Sequence, residues 1–226
     1  MPRITHQLLQ HPPDGVTVPT YDRSAIGIGI VHFGVGGFHR AHQAMYIDRL
    51  MSDGLAGDWG ILGVGVMPVD RAMAEALGPQ DGLYTLVVKH ADGRLEPRVV
   101  GSIVGYLYAP DTPGAVLDAL SAPATRIVSL TITEGGYNFN QVTHEFVGDD
   151  PAIVADLRSG ATPATVFGYV VEALDRRRRA GIPPFTIMSC DNIQGNGAMA
   201  RRTFTAFAGL RDPALIAAYV LLCMHP

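Results

Sequence analysis

Residues 26–51 read IGIGIVHFGVGGFHRAHQAMYIDRLM and divide into a β-branched run, a glycine turn and an amphipathic segment. The apolar run at 26–33 predicts a buried strand. Gly34 and Gly36 interrupt this run, and an apolar residue every three or four positions predicts a helix from residue 39 to about 51. A strand, a glycine turn and a helix in this order are typical of a phosphate-binding turn in a doubly wound sheet.

The rest of the chain continues the alternation of strands and helices. Further strands are predicted at 59–66, 126–133 and 185–190, helices at 68–77, 112–120, 165–179, 196–207 and 213–224, and a β-hairpin from the runs 83–89 and 95–108. This order predicts an α/β fold, a Rossmann-like doubly wound and mostly parallel sheet with an inserted β-hairpin. We expect one nucleotide-binding domain at 24–215, an extension at 1–23 and a tail at 216–226.

Composition excludes several classes of protein. The 226 residues carry 17 Lys+Arg and 21 Asp+Glu, a net charge of −4, and 47% are hydrophobic. Intrinsic disorder is therefore excluded, and nucleic acid is not expected as a partner. Two cysteines cannot form a disulfide scaffold, and neither a secretory signal nor a run of roughly 18 apolar residues is present. We expect a cytoplasmic protein without a membrane partner. The only lysine is Lys89.

The glycine turn is an incomplete dinucleotide fingerprint, because the last of its three glycine positions holds His39. Arg40 follows and could add positive charge beside a diphosphate. The first acidic residue after the second predicted strand is Asp70. It could accept the ribose hydroxyls of NAD and repel the extra phosphate of NADP, or it could only stabilise the N-terminus of the next helix.

Two further patterns favour structural roles. His39 and His42 have a metal-ligand spacing, but two ligands without a third do not make a site, so His39 is expected to pack or cap at the turn. The four arginines at 176–179 lie near a helix C-terminus. We expect them to form a solvated face that interacts favourably with the helix dipole.

Three blocks of the sequence together resemble a known family. They are GVGGFHRAHQAMYIDRLM at 34–51, SLTITEGGYNF at 129–139 and FTIMSCDNIQGNG at 185–197. In form and order they resemble the polyol-specific long-chain dehydrogenases, which include mannitol 2-dehydrogenases and the mannonate (fructuronate) oxidoreductases. The resemblance runs from about residue 24 to about residue 215. It implies a Rossmann-like domain followed by a helical C-terminal domain, NAD as the cofactor, no metal, and a small polyol or sugar-acid substrate.

The resemblance also implies roles for individual residues. Those matching the cofactor turn are Gly34, Val35, Gly36, Gly37, Phe38, His39 and Arg40. Asp70 matches an acidic position that favours NAD. Glu134 matches a carboxylate near the cofactor and the proton path. Asn192 matches an asparagine that hydrogen-bonds the reacting oxygen, where negative charge grows as the hydroxyl loses its proton. From the residues alone, Asn192 could instead cap a turn or a helix, a role that Asp191 could also fill.

The sequence departs from the family in its second half. The family's general base is a lysine on a helix of the C-terminal domain, whereas Lys89 matches no catalytic motif and is expected to be a solvated surface residue. The resemblance therefore implies the N-terminal half of an enzyme, inactive alone, with the missing domain as its structural partner. Two alternatives remain: a standalone dinucleotide-binding module without catalysis, and a degraded gene product prone to aggregation.

Overall fold

The computed structural model describes residues 4, 6–143, 145–158 and 160–216. The strands in these residues are β1 (Ile28–Phe33), β2 (Gly60–Gly65), β3 (Tyr84–Lys89), β4 (Leu95–Val100), β5 (Ile103–Tyr108), β6 (Ile127–Leu130), β7 (Phe139–Asn140), β8 (Glu145–Phe146) and β9 (Thr186–Ser189). The helices are α1 (His6–Gln10), α2 (Gly37–Ala41), α3 (Gln43–Ser52), α4 (Arg71–Leu77), α5 (Pro113–Ser121), α6 (Pro151–Asp156), α7 (Val166–Arg179), α8 (Asn196–Arg211) and α9 (Pro213–Leu215). Apart from residue 216, the predicted tail lies outside the described residues. None of the helices in these ranges is long and apolar enough to cross a membrane.

Five parallel strands form the central sheet in the order β5-β2-β1-β6-β9. β1 lies in the middle, and its last residue, Phe33, is in register with Val64 of β2 and Leu130 of β6. The chain winds outward from β1 through β2 to β5, then returns to the other side of β1 to form β6 and β9. This reversal confirms the predicted doubly wound fold and places a ligand-binding crevice at the carboxyl ends of β1 and β6.

Both faces of the sheet are buried, which explains why its strands read as continuous apolar runs. Ile30 packs on one side with residues of α3 and α4, whereas its neighbour Val31 packs on the other side with residues of α5, α7 and α8. Phe167 of α7 lies between Phe204 and Phe207 of α8, with ring centroids 4.7 and 5.8 Å away. These contacts hold α7 and α8 together on one face of the sheet.

The predicted hairpin was wrong in its second arm. β3 and β4 do pair as antiparallel strands, with Lys89 opposite Leu95. The run beyond Val100, however, leaves the hairpin and becomes β5, the third strand of the central sheet. Gly101 marks the change, because its N–H donates to Asp48 Oδ1 at 2.8 Å and its carbonyl accepts from Arg23 Nε at 3.0 Å. Neither backbone group is then free to continue the hairpin ladder.

The predicted helix at 39–51 is two helices. α2 begins at Gly37, two residues earlier than expected, and α3 begins at Gln43. His42 separates them with φ of −119° and ψ of −89°, and its Nδ1 lies 2.8 Å from the carbonyl oxygen of Phe38. The apolar spacing continues through the break, so the pattern alone did not indicate it.

Two segments outside the predicted strands and helices form ordered backbone contacts. In the N-terminal extension, Thr17 bridges to the β4 strand, and Val99 N donates to Thr17 O at 2.8 Å. Tyr21 also donates a 2.7 Å hydrogen bond to Asp48. Between 138 and 148 the short strands β7 and β8 pair, and the unpredicted helix α6 follows them.

The arginine run is the solvated face that the sequence predicts at three of its four positions, and Arg177 is the exception. Arg177 is only 2% exposed, and its guanidinium donates to the carbonyl oxygens of Leu120, Ala122 and Pro183 at 2.7–3.1 Å. Arg178 and Arg179 pair with Asp175, and Arg176 pairs with Glu172. Arg177 therefore supplies hydrogen-bond donors to carbonyl oxygens at the end of α5 and in the loop before β9.

Replacing Arg177 with Met is expected to lower the free energy of unfolding by about 3 kcal/mol, because buried carbonyl oxygens lose their donors. Urea denaturation measures this change. Arg176→Met is the matched control, since that arginine is partly exposed, and it should cost less than about 0.5 kcal/mol. Equal effects of the two substitutions would contradict the structural role of Arg177.

Candidate functional site

The turn after β1 brings the chain directly against the end of β6. Gly34 has φ of +88°, and a Cβ at this position would lie 2.0 Å from the carbonyl oxygen of Thr131. Gly34 N donates to Val64 O at 3.2 Å, and Gly36 N donates to Gly34 O at 2.7 Å. Glycine is required at position 34 both by its positive φ and by this close approach.

The next two glycines face open space. A Cβ on Gly37 would meet no atom within 4 Å, and a Cβ on Gly36 would meet only Gly34 O at 3.9 Å. Gly36 precedes the first residue of α2, and the Phe38 side chain beside them is 52% exposed. Val35, in contrast, is buried in the core. The turn thus offers backbone and an exposed ring to a ligand approaching the carboxyl edge.

Two buried histidines stack beneath the turn, His32 of β1 and His39 of α2, with ring centroids 3.5 Å apart. His32 hydrogen-bonds with Ser129 Oγ at 2.8 Å and Thr131 Oγ1 at 3.0 Å on β6 and the loop after it. Neither ring nitrogen of His39 has a hydrogen-bond partner of ordinary geometry. His39 therefore packs, as expected. His42, in contrast, is exposed.

Burial keeps both histidines neutral. Desolvation, with a contribution from neighbouring His39, lowers the pKa of His32 well below its usual value. Desolvation also lowers the pKa of His39 to about 4, although the nearby Gln43 side chain acts in the opposite direction. A neutral stacked pair avoids placing like charges at the floor of the turn.

Arg40 points back into the turn. Its Nη1 donates to the Val35 carbonyl oxygen at 3.0 Å, and its guanidinium lies over the Tyr84 ring at 5.8 Å. Tyr84 in turn hydrogen-bonds to the Arg40 carbonyl oxygen at 2.5 Å. In this arrangement Arg40 braces the backbone of the glycine turn.

Asp70 lies just beyond β2, the neighbour of β1, at the same edge of the sheet. Its Oδ2 accepts a 2.8 Å hydrogen bond from Met67 N, and its side chain is half-buried. A Cβ on Gly65 would lie 2.4 Å from the Cβ of Asp70, so the end of β2 must be glycine for Asp70 to sit there. Asp70 also precedes α4, so both roles predicted for it remain compatible with its position.

Asp191 organises the end of β6. Its carboxylate accepts from Ile132 N at 3.1 Å, Thr133 N at 2.9 Å and Tyr137 Oη at 2.8 Å, and the residue is buried. Thr133 has φ of +62°, a left-handed conformation that these hydrogen bonds hold in place. Desolvation, with the neighbouring carboxylate, also raises the pKa of Tyr137, so its hydroxyl remains a donor.

Glu134 and Asn192 are both exposed. Glu134 follows Thr133, whose N–H donates to the Asp191 carboxylate, and Asn192 follows Asp191 itself. Glu134 begins a short 3₁₀ helix directly after Thr133 and accepts a hydrogen bond from Gln141. Asn192 directly follows Asp191, beyond the carboxyl end of β9. A cavity of about 550 Å³ opens between the two loops, and its lining includes Glu134, Gln141, Ile193, Gly195, Met199 and Arg202.

Other features of the described residues stand apart from this edge. Lys89 is exposed at the end of β3 in the hairpin. A cavity of about 580 Å³ beside β5 contains none of the predicted site residues. Within the residues that the structure describes, no three His, Cys, Asp or Glu side chains converge as metal ligands would.

The sequence missed His32 and Asp191 as organisers of the site. Each carried a signal: His32 is a polar residue inside an apolar strand, and Asp191 stands immediately after one. Their partners, Ser129 and Thr133, are distant in sequence, so only the folded chain reveals the pairing.

Comparisons with known proteins agree with this fold. Residues 28–220 match the family model of the mannitol dehydrogenase Rossmann domain. The chain is 50% identical over 214 residues to a polyol:NADP oxidoreductase of Gluconobacter oxydans, covering 94% of this chain and 44% of that protein. It is 51% identical over 205 residues to a mannitol 2-dehydrogenase of Aspergillus terreus, covering 89% and 41%.

Two solved structures share the fold. A mannitol 2-dehydrogenase of Pseudomonas fluorescens, in a ternary complex with NAD and D-mannitol, matches with a TM-score of 0.92 and 45% identity, over 96% of this chain and 44% of that one. A D-sorbitol dehydrogenase in substrate-free form matches with a TM-score of 0.89 and 47% identity, over 95% and 44%. The chain thus spans less than half the length of these relatives.

Lowering the pH from about 6.5 toward 4 is expected to destabilise the fold through the histidine stack. In this pH range His39 binds a proton in the unfolded chain but stays neutral in the folded one. Its lowered pKa alone therefore corresponds to a loss of about 3 kcal/mol in the free energy of unfolding. His32 acts in the same direction. This stabilisation is fully present above the pKa that histidine has in the unfolded chain, and it is lost as the pH falls below that value.

Urea denaturation at several pH values measures this slope. His39→Gln should flatten it, whatever its effect at neutral pH, and His42→Gln, at an exposed position, should leave it unchanged. The same slope in His39→Gln and in the wild type would contradict the assignment.

Proposed function

This chain belongs to the mannitol dehydrogenase family, and from that premise we propose that it is the cofactor-binding part of an NAD-dependent polyol or sugar-acid dehydrogenase. The observation that carries the proposal is the glycine turn packed on Thr131 at the sheet's reversal point, with Asp70 beyond the neighbouring strand. Dinucleotides bind across this edge in doubly wound sheets. We propose residues 24–215 as the domain that holds the cofactor.

The residues present fit a dinucleotide. Gly36 and Gly37 leave space for a diphosphate to approach the backbone. Val35 and His39 have buried side chains, so their contribution is backbone alone, and Phe38 offers an exposed ring. Arg40 holds the turn in shape by donating to the carbonyl oxygen of Val35.

Asp70 would accept the two ribose hydroxyls of NAD, and its negative charge would disfavour the extra phosphate of NADP. A solved relative bound to NAD supports this choice, and a relative described as an NADP oxidoreductase is the reason it needs a test.

When bound, the nicotinamide cofactor supplies the hydride acceptor for a secondary alcohol. We propose that the Asn192 amide then donates a hydrogen bond to the substrate oxygen, where negative charge grows as the proton leaves. Glu134 would hold or relay that proton near the same edge, with Gln141 orienting its carboxylate. Asp191 acts as a positioning residue, because it holds the backbone of Ile132 and Thr133 before Glu134.

The group that finally accepts the proton would come from outside these residues. The only lysine, Lys89, is exposed on the hairpin, and the chain spans only 44% of several relatives. We therefore propose a helical domain as the structural partner and a substrate of the mannitol–fructose or mannonate–fructuronate type. The position of Lys89 also keeps open a second candidate, a dinucleotide-binding module without catalysis.

Asp70→Ala is expected to weaken NAD binding about tenfold and to reduce the preference for NAD over NADP, because the carboxylate no longer accepts the ribose hydroxyls. Calorimetric titration with each dinucleotide measures both constants. Asp70→Asn is the matched variant that keeps an acceptor for Met67 N. An unchanged preference in both variants would remove Asp70 from the site.

The 226-residue chain is expected to bind NAD but to form no NADH with mannitol, because it carries no lysine near the proposed site. NADH absorbance, measured with mannitol and with mannonate, checks this outcome. NADH formation that depends on either substrate would show that a proton acceptor lies within these residues. Failure to bind any dinucleotide would overturn both candidate functions.

A further inference from the structure

An arginine–aspartate pair stands beside the proposed ribose position. Arg71 Nη1 donates to Asp111 Oδ2 at 3.0 Å, and Arg71 Nη2 donates to Asp111 Oδ1 at 2.8 Å. The guanidinium carbon also lies 4.5 Å from the centroid of the Tyr108 ring. The cation is therefore held in one orientation by a ring and by two parallel hydrogen bonds, although both charged side chains are about half exposed.

The fold brings this pair to the carboxyl edge. Arg71 directly follows Asp70, and Asp111 belongs to the loop after β5. β2 and β5 are neighbours, with Gly65 in register with Tyr108, so the loops that follow them meet. Asp70 itself is held by Met67 N rather than by Arg71. Arg71 thus pairs with Asp111, which is far from it in sequence, and not with the adjacent Asp70.

The charges explain how the Arg71–Asp111 pair affects the binding of NADP. An arginine beside the ribose carboxylate is the group that accommodates the 2′-phosphate of NADP in doubly wound folds. Here two carboxylates, Asp70 and Asp111, accompany the single guanidinium of Arg71, which leaves a local net charge of −1. A 2′-phosphate would meet net repulsion and would have to displace Asp111 to reach the cation.

We propose that Asp111 is a specificity-determining residue for the dinucleotide, acting through Arg71. Asp111 holds the Arg71 guanidinium through two hydrogen bonds. The guanidinium is then not available to bind the 2′-phosphate of NADP. Exposed ion pairs are weak, so the discrimination is partial and one substitution can shift it. The inference rests on the proposed function, because it takes the Asp70 position as the ribose site.

Asp111→Asn tests the proposal by releasing Arg71 while keeping the size of the side chain. The NADP and NAD association constants are measured by calorimetry on the 226-residue chain, and their ratio is the readout. The ratio should rise roughly tenfold in Asp111→Asn and fall below the wild-type value in Arg71→Gln. The double variant should lose the gain of Asp111→Asn, since that gain depends on the Arg71 guanidinium.

Asp58→Asn is the matched control. Asp58 pairs with Arg126 at 2.8 Å, and these residues precede β2 and β6 at the opposite edge of the sheet, so the ratio should not change. An NADP-to-NAD ratio in Asp111→Asn equal to that of the wild type overturns the proposal. A double variant whose ratio stays as high as that of Asp111→Asn overturns it as well. If NAD binding depends on Asp70 but the NADP-to-NAD ratio is unchanged in Asp111→Asn, only this inference fails. If no dinucleotide binds, the proposed function fails with it.

Discussion

The contact between Gly34 and Thr131 is the constraint on which the site depends. The turn after β1 approaches the backbone after β6 so closely that no Cβ fits between them, and it does so with a positive φ. This approach occurs where the sheet reverses its winding direction, so it closes the floor of the crevice. The geometry of the glycine turn is therefore set by a tertiary contact as well as by its own residues.

Buried polar groups fix the two loops that face this crevice. His32 links β1 to Ser129 and Thr131, and Asp191 links the end of β9 to Ile132 and Thr133. Polar groups without water must be satisfied within the protein, so each link specifies a single arrangement of the loops. The exposed side chains proposed for chemistry, Glu134 and Asn192, stand on this rigid support.

Much of the architecture was predictable because it is local. Buried parallel strands appear as continuous apolar runs, and α7 begins at its capping residue Thr165 and carries a clear apolar face. The errors arose where distant groups compete for the backbone. Gly101 leaves the hairpin because Asp48 and Arg23 take its hydrogen bonds. Arg177 is buried because carbonyl groups from the end of α5 and from the loop before β9 converge on it.

The sequence by itself determined the fold class, because glycine spacing and apolar period depend on neighbours in the chain. Three sequence blocks also indicated the family and the candidate residues at the carboxyl edge. Only the tertiary structure decided which groups meet. It buried His39 while leaving Phe38 exposed, bound Asp191 to the backbone of Thr133, and paired Arg71 with Asp111. These contacts join residues far apart in sequence, and their geometry follows from strand order and register, which no local pattern encodes.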